Sequence, residues 1–280
     1  MLKRVVFSLT VISFCAAARC AGQVNLNPAN LLDQGYNDLY NLAFDEAHRA
    51  FQRWNASNPT DPVGPASDAA AFLFSEFDRL HILQSEFFID DKSFFHMHAG
   101  PPDPVVKRRF QAALSRSERL AGAILNQAPN DRNALFATVL RLGLQADYTA
   151  LIEKRYLASL DDVKKGRTIA EELLARYPDC YDAYLAIGVE NYLLSLKAAP
   201  VRWFLRMTGA KTDRNAGLAK LKVAAEKGHY FAPYAELLLA VAALRDGNRA
   251  EAKKLLSDLS ERFPGNELYR AELKKVRANT

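Results

Sequence analysis

Two stretches near opposite ends of the chain obey one pattern, and that recurrence constrains the fold more than anything else in the sequence. FDEAHRAFQRWNASNP covers residues 44–59 and RAEAKKLLSDLSERFP covers 249–264. Each carries a small residue at its fourth position, Ala47 and Ala252. A large apolar residue follows four later, Phe51 and Leu256, and another three after that, Trp54 and Leu259. Pro follows five later, as Pro59 and Pro264. The spacing is helical. In the second stretch Ala252, Leu255, Leu256, Leu259 and Phe263 fall on one face, and Pro264-Gly265-Asn266 ends it. The small residue lets a second helix approach closely, the large ones fill the groove between helices, and proline stops the helix. No strand pattern is found after residue 24.

The same junction of helix, proline, short polar turn and helix recurs in ILNQAPNDRNALFA (124–137) and LLARYPDCYDAYLAIG (173–188). The prolines Pro59, Pro129, Pro178 and Pro264 are 70, 49 and 86 residues apart, and taking Gly228 as a further junction divides the last interval into 50 and 36. This predicts five helix pairs, at 28–61, 62–130, 131–179, 180–228 and 229–265, with a final helix over 266–278. In that helix Leu268, Tyr269, Leu273 and Val276 cover the last pair, while Glu267, Arg270, Glu272, Lys274, Lys275 and Arg277 face water.

The small–large–large–proline pattern resembles the second helix of a tetratricopeptide (TPR) repeat. The first and last pairs carry it closely; the middle is degenerate and expanded. FDEAHRAF, DCYDAYLAIGVENYLL and RFPGNELY together are similar to uncharacterised exported TPR proteins of bacteria, which implies no activity. The resemblance implies an all-α, right-handed α-solenoid of about five irregular TPR-like pairs plus a C-terminal capping helix. It also implies a non-catalytic scaffold that holds a protein or peptide segment against the first helices of its pairs. Turn-spaced candidates there are Tyr36 and Tyr40 in the first pair, Asn133 and Phe136 in the third, and Asp182, Asn191 and Tyr192 in the fourth; inter-repeat packing is the alternative role for each.

Residues 1–21 read as a secretory signal. Lys3 and Arg4 precede an apolar run from Val5 to Ala18, and small residues follow through Gly22. Fourteen residues rise roughly 21 Å as a helix, short of a hydrocarbon core of roughly 30 Å. Phe14 before Cys15 and Arg19 before Cys20 both violate the lipoprotein pattern. Cleavage after Ala21 removes three basic residues and lowers the net charge from +5 to +2, so charge gives no argument for nucleic acid. The expectation is an exported protein, periplasmic or extracellular, with residues 22–280 forming the solenoid and Cys180 as its lone thiol.

Two expansions interrupt the array. Around 82–105, Phe87, Phe88, Phe94 and Phe95 are expected to fold back on it; Asp90, Asp91, His96 and His98 lack a positioned third ligand, so no metal site is assigned. Around 197–213, Arg202, Trp203 and Arg206 make a cationic aromatic face, within a segment 202–227 that holds seven basic and two acidic residues. Packing, an acidic partner, and peripheral contact with a membrane surface through 201–227 are its alternative roles. Together with Tyr36, Tyr40, Phe136 and Tyr192 these three residues form the expected partner site. No nucleophile elbow, phosphate loop, paired-Cys or H-E-x-x-H motif occurs, and no cofactor or enzyme activity is expected.

Overall fold

The computed structural model describes residues 30–83, 100–196, 207 and 209–278. The expected pairs are all present. They are α1 (Leu31–Tyr40) with α2 (Phe44–Ser57), α3 (Val63–Arg79) with α4 (Pro104–Leu125), and α5 (Arg132–Asp147) with α6 (Tyr156–Arg176). Then come α7 (Tyr184–Ser195) with α8 (Arg214–Lys227), α9 (Ala232–Arg245) with α10 (Arg249–Arg262), and the terminal α11 (Glu267–Ala278). No strand occurs among the described residues. Each helix packs on the next in sequence, and the first helices α1, α3 and α5 also pack on one another. The protein is an all-α solenoid of TPR-like pairs.

Local chemistry starts the helices where the sequence places them. Asn30 caps α1 by accepting from Leu32 N and Asp33 N at 2.8 and 3.0 Å. Asp103 caps α4 ahead of Pro104, Asp131 caps α5, Asp213 caps α8 and Asn248 caps α10. Each side-chain oxygen satisfies amides that the first helical turn leaves unpaired. Ala47 and Ala252 are both fully buried, as the pattern requires. The fourth pair meets still more closely. A Cβ on Gly217 would lie 2.6 Å from Tyr192 N and one on Gly188 would lie 2.9 Å from the Leu221 side chain, so α7 and α8 touch through backbone.

The first expansion is clamped at its base. Glu76, buried, accepts from Arg79 at 2.7 and 2.8 Å and from Asp103 N at 2.8 Å, while Arg79 also reaches Pro101 O at 2.9 Å. Phe87, Phe88, Asp90, Asp91, Phe94, Phe95, His96 and His98 lie outside the described residues, as does the signal segment. His48, on α2, is largely covered. Its Nδ1 lies 2.5 Å from Asp68 Oδ1 and its ring packs 3.9 Å from Phe72, because the neighbouring pair closes over this face.

The array also closes on itself. Tyr40 donates to Tyr230 O at 2.9 Å, Asn266 Nδ2 donates to Tyr40 O at 2.9 Å, and Gly265 N donates to Asn41 Oδ1 at 2.9 Å. Phe263 packs 5.3 Å from Tyr40. The first pair therefore shares one core with the last, and α11 packs on α10 and faces α1 across a small cavity.

Candidate functional site

The five first helices converge on one partly open cavity of about 110 Å³. Tyr36 and Tyr40 come from α1, Ala70 and Phe74 from α3, and Phe136, Val139, Leu140 and Asp147 from α5. Asp182 and Leu185 come from the start of α7 and Tyr234 from α9. Among the described residues, only α6 adds lining from the second row, Asp162, Val163 and Gly166. A smaller cavity of about 40 Å³ shares Leu39, Tyr40, Phe74 and Tyr234 with it and runs on toward α11.

The turn His229–Phe231 determines how the cavity ends. Tyr230 stacks on Tyr36 with ring centres 4.7 Å apart, and Phe231 meets Tyr36 edge-on at 5.6 Å and Phe136 at 6.0 Å. Asp182 holds this turn by accepting from the amides of His229 (2.9 Å), Tyr230 (3.1 Å) and Phe231 (2.9 Å) at the start of α9. His229 Nε2 adds a 2.7 Å contact to Asp33. Burial pushes the Asp182 carboxyl up and the three amides oppose it.

Of the residues expected to bind, Tyr36, Tyr40, Phe136 and Asp182 line this cavity together. The two tyrosine hydroxyls are already used, Tyr36 with Ser67 Oγ at 3.0 Å and Tyr40 with Tyr230 O, so these rings form wall rather than a free polar face. The other three described candidates lie apart. Asn133 is exposed on an inter-repeat edge, where it donates to Asp61 Oδ1 at 2.6 Å. Asn191 is buried and accepts from Asp213 N at 3.3 Å. Tyr192 is buried in a separate cluster with Leu221 and Leu238. Arg202, Trp203 and Arg206 lie outside the described residues. Of the cationic segment 201–227, the part that forms α8 turns Leu221 and Ala224 into the array, while Lys220 and Lys227 lie over the rings of Tyr184 and Tyr181.

The cavity contains carboxylates that the residue patterns did not single out. Asp147 ends α5, is half-buried in the cavity wall, and receives no hydrogen bond or ion pair from any described residue; burial pushes its carboxyl up to about 7. Asp162 also has no direct partner among the described residues, although Lys165 and Arg141 are near, and burial and Asp161 raise its carboxyl. Glu190 is different. It lies 2.7 Å from Arg167 Nε and accepts from Lys211 N at 3.2 Å. No periodicity argument could find Asp147 and Asp162, since they sit on different helices and read as ordinary helix-surface acids. Among the described residues no group of three or more His, Cys, Asp or Glu is placed to hold a metal, and no helix is long and apolar enough to cross a membrane.

These features define a helical-repeat protein whose inner face is a carboxylate-bearing apolar cavity. Residues 234–266 match the family model of the tetratricopeptide repeat, and this range spans α9, α10 and the turn into α11. The chain carries a TPR repeat, the class of module used for protein–protein interaction. No curated protein and no solved structure matches the chain.

Proposed function

We propose that this protein is an exported, non-catalytic scaffold that holds a segment of a protein partner in its inner cavity. The observation that supports this reading is the convergence of all five first helices on one apolar, partly open cavity. A fold needing only stability would fill such a space, because unfilled apolar volume destabilises. Concave apolar sites with a few placed polar groups are what ligand segments occupy. The export part rests on the basic start, short apolar run and small residues of 1–22; intact mass of the native protein should place its N-terminus between residues 19 and 23 without a lipid adduct, and retention of Met1 would overturn it.

Gly143 provides the test of the cavity. It lines the cavity on α5, and a Cβ there meets nothing within 4 Å; Gly122 on α4 is equally unobstructed but is not part of the cavity lining. A photo-crosslinking amino acid at 143 should capture a protein partner in native envelopes, and one at 122 should not. Equal capture at both positions, or none at 143, would remove the cavity as the binding site. Gly143→Trp should also block capture without loss of melting temperature, since replacing an interior helical glycine adds roughly 0.5–1 kcal/mol.

A further inference from the structure

The four carboxylates of the inner cavity are not equivalent. Asp182 is satisfied by three backbone amides, and Glu190 by Arg167 and the Lys211 amide. Among the described residues Asp147 and Asp162 have no such partner, and no described Lys, Arg or His lines the cavity. Asp147 does not owe its position to chance at a frayed end. The helix continues from it into a π turn, Tyr148–Ile152, fixed by the stacking of Tyr148 on Phe110 at 4.8 Å and by the ion pair of Lys107 with Glu153 at 2.7 Å beside it. Such turns are frequent at functional sites. An unpaired carboxylate in an apolar cavity wall destabilises the empty protein when it is ionised, and is compensated by a proton or by an entering cation.

We propose that the cavity recognises a basic side chain, lysine-like in shape, carried by an apolar stretch of the partner, with Asp147 as the anchor and Asp162 as a second acceptor. This rests on the scaffold reading above and gives that partner its chemistry. An apolar cavity of about 150 Å³ takes a benzene ring; one of about 110 Å³ suits an aliphatic stem with a charged tip. The stem would pass the Phe74, Val139, Leu140 and Tyr234 walls, and the ammonium would meet a carboxylate in a low-dielectric setting, where a charge-assisted hydrogen bond is strongest.

The test uses two labelled, end-blocked peptides, Leu-Leu-Lys-Leu-Leu and Leu-Leu-Glu-Leu-Leu, titrated into the full-length protein by fluorescence anisotropy at pH 8. The lysine peptide should bind at least tenfold more tightly. Asp147→Asn, nearly isosteric, should weaken the lysine peptide about tenfold and leave the glutamate peptide unchanged. If both peptides bind alike, or if Asp147→Asn binds lysine as well as wild type does, the basic anchor is overturned while the cavity reading stands. If neither peptide binds and crosslinking from position 143 also fails, both fall. A melting temperature of Asp147→Asn at or above that of wild type shows that any lost affinity is not lost folding.

Discussion

Asp147 is a single side chain that couples this molecule's stability to pH. Its carboxyl is held near 7 by desolvation, far above an ordinary aspartate near 3.9. The folded protein therefore binds a proton that the unfolded chain has released across the interval between those values, and stability falls as pH rises through it. The change reaches up to about 4 kcal/mol and levels off above pH 7. Melting temperature should fall from pH 5 to pH 7; in Asp147→Asn that slope should become shallower, leaving what Asp162, Asp182 and Glu190, also raised by burial, contribute. A wild-type protein more stable at pH 7 than at pH 5, with the variant behaving alike, would show that the carboxylate is solvated. The tyrosines around it act differently. Tyr36, Tyr40 and Tyr234 are all pushed up by burial, remain neutral and contribute wall area.

Helix pairs depend on how closely their members approach. Ala252 is fully buried on α10, which packs on α9 and α11, as Ala47 is on α2, which packs on α1 and α3. Ala252→Leu should overpack this crossing and destabilise by roughly 1–3 kcal/mol. An unchanged thermal or chemical midpoint would mean that α9 and α10 can part without loss. The pairs share one apolar core, and polar contacts tie the turns at their junctions. Arg132 reaches Asp179 at 2.9 Å and lies over the Tyr177 ring, and Tyr177 in turn donates to Asn130 O at 3.0 Å.

An open solenoid would let its ends unfold independently, because each pair touches only its neighbours. Here the first pair is tied to the last through Tyr40, Asn41, Tyr230, Gly265 and Asn266. The ends should therefore lose stability together. Removal of residues 266–280 should raise amide exchange in α1 around Tyr36–Tyr40 as much as in α10. It takes away the Asn266 donor to Tyr40 O and the wall that Leu268 and Tyr269 give the smaller cavity. Exchange that rises in α10 alone would mean that the ends are independent.

The helix pairs, their junctions and the capping helix were legible along the chain because each depends on neighbours within a turn or two. Ala47 and Ala252 mark crossings, Asp131, Asp213 and Asn248 mark starts, and Pro59 and Pro264 mark ends. The choice of Tyr36, Tyr40, Phe136 and Asp182 as inner-face residues came from the same periodicity, and they do share one cavity. Tyr192 and Asn191 obey that periodicity equally well, yet the close contact of Gly188 and Gly217 with the facing helix draws this part of α7 into a core of its own. Closure of α1 against α11, entry of Tyr230 and Phe231 into the inner face, and the approach of Asp147 and Asp162 to one cavity follow from the summed rotation of five pairs. That rotation accumulates over contacts up to 226 residues apart, and no local pattern encodes it.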